Sequence, residues 1–122
     1  MTETGYDVIV LGGGTAGTTA ATAASDAGAR TAMINDGELG GLCILRGCMP
    51  TKAMLAVAHA VHEAEHLDRF GAHLDGSVRV DFEQVMRRKT AHVERFKRAK
   101  IRSIDAADYE VIDGRGRFIA GE

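Results

Sequence analysis

Tyr6-Asp7-Val8-Ile9-Val10-Leu11-Gly12-Gly13-Gly14-Thr15-Ala16-Gly17 is the stretch on which the fold turns: a short apolar run rich in β-branched residues that stops at three consecutive glycines. Such a run is the pattern of a buried strand. From Thr15 to Ala27 nearly every residue is Ala, Thr or Gly, and Gly28 follows. A helix with so small a face lies close to a sheet, and the glycine suits its end. Arg30 to Asn35 then supplies a second apolar run, Thr31-Ala32-Met33-Ile34, at about the shortest distance a crossover helix allows. The three segments predict a βαβ unit with parallel strands, hence an α/β domain of the Rossmann-like kind.

Gly12, Gly14 and Gly17 satisfy G-x-G-x-x-G between a predicted strand and a predicted helix, the context a dinucleotide-binding loop requires. Gly12 suits the tight turn, Gly14 lets backbone N–H groups approach a pyrophosphate, and Gly17 lets helix and strand touch. The anion then sits on the positive end of the helix, where Thr15 and Ala16 open the first turn. The acidic residue expected about 20 residues on, to hold a ribose hydroxyl, is represented by Asn35 with Asp36 beside it. Asn35 accepts through a neutral amide oxygen; Asp36 takes the role if the strand ends one residue later.

After a Gly-rich link from Gly37 to Gly41, a region holds Cys43, Cys48 and the only proline, Pro50. Apolar residues at Met54, Val57, Ala58, Val61 and Ala64 predict an amphipathic helix from Thr51 to about Leu67, with Pro50 in its first turn. Asp81 with Gln84 three residues on predicts a capped helix to about Ala106, burying Phe82, Val85, Met86, Val93 and Phe96. The tail reads as strand (Tyr109 to Ile112), turn (Gly114-Arg115-Gly116) and strand (Phe118-Ile119-Ala120). Because the sequence stops at Gly121-Glu122, just after an apolar strand with an open edge, it reads as a fragment.

Composition narrows the classes. Fifteen Lys/Arg against 17 Asp/Glu give a net charge of −2 with no global attraction for nucleic acid. Near the N-terminus no apolar run approaches the roughly 20 residues of a membrane span, and no basic segment marks a secretory signal. Two cysteines are too few to staple a secreted fold, so a cytoplasmic location is expected, with neither nucleic acid nor membrane as partner. Between Glu83 and Arg102 eight Lys/Arg stand against two Glu, a local +6 that reads as a solvated or partner-facing helix. His59, His62 and His66 share a helix face with Glu63 alongside, but no Cys or Asp completes a ligand set and no metal is predicted.

On a regular α-helix the Cα atoms of Cys43 and Cys48 would stand about 8.7 Å apart. A disulfide needs less than about 7 Å. The pair therefore bridges only where the backbone leaves α geometry, which Gly47 and the missing N–H of Pro50 make cheaper. Taken alone, the spacing also fits two unlinked buried thiols.

Gly40-Gly41-Leu42-Cys43-Ile44-Leu45-Arg46-Gly47-Cys48-Met49-Pro50-Thr51-Lys52 resembles the redox signature of the flavin-dependent pyridine nucleotide–disulfide oxidoreductases, the family of dihydrolipoamide dehydrogenase, mercuric reductase and glutathione reductase. The order also agrees, a first glycine motif followed by the cysteines about 30 residues later. The resemblance implies an N-terminal FAD-binding domain, here residues 1–122 and partial. It implies that Gly12, Gly14, Thr15, Ala16, Gly17 and Gly41, with Asn35 or Asp36, hold FAD. It further implies that Cys43 is the thiol exchanging with substrate, that Cys48 lies against the flavin, and that Lys52 stands near the flavin N5.

The implied activity passes electrons from NAD(P)H through FAD to a Cys43–Cys48 disulfide, or the reverse, toward a disulfide or other thiol-reactive substrate. The family is a homodimer with a second glycine motif for NAD(P), absent from these 122 residues, so the chain alone is expected to be inactive. A truncated, non-catalytic FAD-binding module is the alternative. Asn35 in place of the usual Glu and Leu42 in place of the usual Thr depart from the pattern, while Thr51 leans toward the lipoamide and mercury branches.

Overall fold

Residues 5–119 are described by a computed structural model. β1 (Val8–Leu11), α1 (Thr15–Asp26) and β2 (Thr31–Asn35) form the expected βαβ unit, and β3 (Glu110–Asp113) adds beyond β2. All pairs are parallel, with Val10 beside Met33 and Met33 beside Val111. The long β2-to-β3 crossover contains α2 (Gly41–Leu45), α3 (Cys48–Glu65), a 3₁₀ turn (Leu67–Phe70) and α4 (Phe82–Asp105).

The small-residue face of α1 lets it lie directly on the sheet: Ala21 is fully buried against Met33 and Ile104, with Val10, Leu39 and Tyr109 around them. The Tyr6 hydroxyl donates to the Glu110 carboxylate, joining the segment before β1 to β3. Asp81 caps α4 as its spacing predicts, accepting from the Gln84 N–H at 3.0 Å.

Four expectations are corrected. β1 alternates instead of being buried throughout: Ile9 is 55% exposed, because α1 covers only the face that carries Val10 and Met33. In α4, Phe82 and Met86 are exposed, and the buried residue is Ile104, because only the last turns of this 24-residue helix reach the sheet. The strand read at Phe118-Ile119 does not form: both lie exposed in irregular chain, and Ala120 is outside the described residues. The backbone there folds back on the sheet at Gly116, where a Cβ would stand 2.4 Å from Leu11 Cδ2, so the segment is not aligned to pair with β3. Finally, the helix expected from Thr51 begins at Cys48 and is preceded by the unforeseen α2.

Within the stretch Gly41–Glu65 an 18-residue window has a mean hydropathy of 1.3, long and apolar enough to cross a membrane by length and composition, which counting uninterrupted apolar residues passes over. It is folded as two helices with a break at Arg46-Gly47, and α3 packs along α4.

Candidate functional site

At the end of β1 the Gly12 N–H donates to the Ile34 carbonyl at 2.8 Å, the last bond of the ladder, and Gly12 with φ +102° turns the chain into α1. A Cβ on Gly17 would lie 1.8 Å from the Gly12 oxygen, so turn and helix meet at a distance that admits only glycine. Gly14 caps α1 without a side chain, and no acidic residue occupies the first turn. The N–H groups of Thr15, Ala16 and Gly17 therefore lack intrahelical acceptors at the positive end of a 12-residue helix. A Cβ built on Gly14 would meet nothing within 4 Å, so there is room at that point for an anion. A dinucleotide pyrophosphate fits this loop.

Asn35 is held differently from a ribose ligand. Its Oδ1 accepts from the buried Gly13 N–H at 2.9 Å, and its Nδ2 donates to the Gly37 carbonyl at 2.8 Å. Strand β2 ends at Asn35, and Asp36 stands exposed beyond it.

Gly41 connects the two halves of the site. With φ +73° it starts α2, and a Cβ there would lie 2.8 Å from Gly14 Cα. The cysteine-bearing segment thus begins in contact with the glycine loop. Helix α2 stops at Leu45; Arg46 (φ −138°, ψ −1°) and Gly47 (φ −119°, ψ −103°) leave helical geometry, and α3 starts at Cys48. This is the departure the five-residue spacing requires. It brings Cys48 close enough to act on the Cys43 thiol, both being free, Cys43 half-buried and Cys48 exposed.

The hydrogen bond with Cys48 pushes the Cys43 thiol above its ordinary range, with desolvation adding to the rise. The positive charge of Lys52, one turn into α3, acts on Cys43 in the opposite direction. Cys48 opens an 18-residue helix, the end of the macrodipole where negative charge is favoured.

One group is absent from the sequence reading. Glu38, on the loop between β2 and α2, takes Lys97 Nζ of α4 on Oε1 at 2.5 Å and Arg46 Nη2 on Oε2 at 3.4 Å. It ties the break between the cysteines to α4. A lone loop carboxylate gives no pattern signal; the excess of cations on α4 was the available hint. The structure therefore places Gly12, Gly14, Thr15, Ala16, Gly17 and, by its contact with Gly14, Gly41 at the C-terminal end of β1; Cys43 lies near Cys48 and Lys52, and Asp36 stands just past the end of β2. His62 and His66 lie apart, at the end of α3 and at its C-cap, their tilted rings 4.2 Å apart between centroids, with His66 Nδ1 at 2.7 Å from the His62 carbonyl.

A glycine loop at a strand-to-helix turn, in contact with the segment that carries two cysteines, defines an α/β fold of the Rossmann-like class with a cysteine pair beside its first turn. Residues 6–120 match the family described as pyridine nucleotide-disulphide oxidoreductase, and the chain belongs to it. It is 37% identical over 94% of its length to a dihydrolipoyl dehydrogenase of Chlamydia muridarum, of which it covers 24%. Against a dihydrolipoyl dehydrogenase of Bacillus subtilis the identity is 38% over 95% of this chain and 24% of the relative. A mercuric reductase of Streptomyces lividans is 33% identical over 98% of this chain and 25% of its own length. The fold also matches the HOCl-induced flavoprotein disulfide reductase RclA from Escherichia coli, solved as a Cu(II) complex, with TM-score 0.67 and 31% identity over 93% of this chain and 22% of that one. The chain spans about a quarter of the length of the curated relatives it matches.

Proposed function

We propose that this chain is the flavin- and thiol-bearing part of an FAD-dependent disulfide oxidoreductase of the dihydrolipoamide dehydrogenase kind, in which electrons pass between NAD(P)H and the Cys43–Cys48 pair by way of FAD. The observation that supports it most is the contact of Gly41 with Gly14, which couples the loop suited to a dinucleotide pyrophosphate to the segment that carries the thiols. FAD, when bound, supplies the two-electron chemistry that links a nicotinamide to a thiol pair.

The residues then divide the work. Gly14 and the N–H groups of Thr15, Ala16 and Gly17 hold the pyrophosphate. Asp36 accepts from a ribose hydroxyl, while Asn35 keeps the loop in shape. Cys43 exchanges with the substrate disulfide, Cys48 lies toward the flavin, and Lys52 stabilises the negative charge that develops on the pair. A homodimer in the cytoplasm, with NAD(P)H bound outside these residues, completes the reading.

Titrating the chain with FAD while following flavin fluorescence, and oxidising it mildly while counting free thiols, tests the proposal. Saturable binding together with loss of both thiols on oxidation is expected. Binding with inert thiols would instead favour the non-catalytic module, and no FAD binding would refute both.

A further inference from the structure

The excess positive charge on α4 is not absorbed by the site described above. Between the first turns of α3 and the middle of α4 runs a groove lined by Met49, Lys52, Arg88, His92, Arg95 and Phe96. Two other cations of α4 are paired, Arg87 with Glu83 and Lys97 with Glu38. Among the described residues Lys52, Arg88 and Arg95 make no ion pair with a carboxylate. Two of them are instead held in place by the groove itself: Arg88 Nη1 donates to the Ala53 carbonyl at 3.3 Å, and the Arg95 guanidinium sits 5.2 Å from the centroid of the Phe96 ring. The groove begins at Met49, the residue after Cys48, and includes Lys52.

We propose that this groove recognises the carboxylate of an anionic disulfide substrate and holds it beside the Cys43–Cys48 pair. The proposal rests on the reading of that pair as the redox centre. Arg88 and Arg95, with a flat apolar ring between the two helices, suit a short carboxylate on a carbon chain: the charges attract the anion, Met49 with Phe96 accepts the methylenes, and Lys52 remains with the cysteine pair. The exchange itself is balanced by the dithiol. A protein thiolate attacks one substrate sulfur, the substrate S–S bond breaks and releases one thiolate, and the second protein cysteine displaces the other half. The protein disulfide forms as the substrate is reduced to two thiols.

The test uses the chain in its reduced form in single-turnover reactions with 3,3′-dithiodipropionate (anionic), bis(2-hydroxyethyl) disulfide (neutral) and cystamine (cationic). Each rate is divided by that of the same disulfide with dithiothreitol. The anionic disulfide is expected to react roughly tenfold faster than the cationic one at low ionic strength, the ratio shrinking toward one as salt shortens the Debye length to about 3 Å. Replacing both Arg88 and Arg95 by Gln is expected to abolish the preference while leaving the neutral rate unchanged; replacing both by Lys is expected to retain it. A charge-independent order in the parent chain, or a preference untouched by the Gln pair, overturns the proposal while the redox pair stands. A reduced chain inert even to the neutral disulfide overturns the redox reading with it. Retention of a single-stranded oligonucleotide at physiological salt that blocks the anionic reaction would reassign the groove to nucleic acid.

Discussion

Asn35 Oδ1 accepts a hydrogen bond from the Gly13 N–H at 2.9 Å, so the end of the second strand clamps the glycine loop that follows the first. Removing the amide by Asn35→Ala leaves a buried donor unsatisfied, a cost of about 1–3 kcal/mol. Binding of ADP and of 2′,3′-dideoxy-ADP is expected to weaken equally in that variant. Asp36→Asn is expected to weaken ADP alone. Calorimetric titration distinguishes the two; loss of the ribose preference in Asn35→Ala would make Asn35 the ribose ligand after all.

Gly17→Ala is expected to destabilise the chain by about 3 kcal/mol, at the upper end of overpacking, because the new methyl meets backbone and not a side chain that can move. The contact at risk is the Gly12 oxygen, 1.8 Å from the built Cβ. Urea unfolding should show a lowered midpoint with an unchanged slope.

The pH dependence of Cys43 alkylation follows from its neighbour. The hydrogen bond with Cys48 is the largest cause of its raised pKa. Iodoacetamide modification of Cys43 should therefore rise at a more alkaline pH in the parent chain than in Cys48→Ala. Lys52→Met, which removes the charge acting against the rise, should move the profile further alkaline.

The two sulfurs should also differ once FAD is bound. Cys48→Ser is expected to abolish the long-wavelength thiolate–flavin absorption of the reduced protein, since a hydroxyl is not a charge donor at neutral pH. Cys43→Ser is expected to show that absorption before reduction and to stop exchange with a disulfide. The opposite pattern would reverse the roles.

The Glu38 clamp makes stability depend on pH at both extremes. Its hydrogen bond to Lys97, and then that charge, hold the Glu38 carboxyl below its ordinary value near 4.5. Its contribution is complete above that value and is lost as pH falls through the depressed one. Lys97, raised above 10.5 chiefly by its hydrogen bond to Glu38, contributes fully below that value and loses the contribution as pH climbs through the raised one. Thermal melts of the parent and of Glu38→Gln should differ at pH 7 and converge in acid.

Much of this protein was legible as local pattern. The β-branched run before three glycines, the small-faced helix and the second apolar run determine a parallel βαβ unit because strand, turn and helix preferences there agree with one another. The capping residue Asp81 and the need for a backbone break between Cys43 and Cys48 follow from spacing alone, since helix geometry keeps residues five apart too distant to bridge. What tertiary structure decided are relations between segments that carry no common period. The Gly41–Gly14 contact is a close approach of two backbones, invisible to side-chain pattern. Asn35 turned inward because the buried Gly13 N–H needs an acceptor, a demand that sequence does not record. Glu38 found its cations 8 and 59 residues away. The exposure of Phe82 and the burial of Ile104 were set by which turns of a long helix meet the sheet, and periodicity is the same along its whole length.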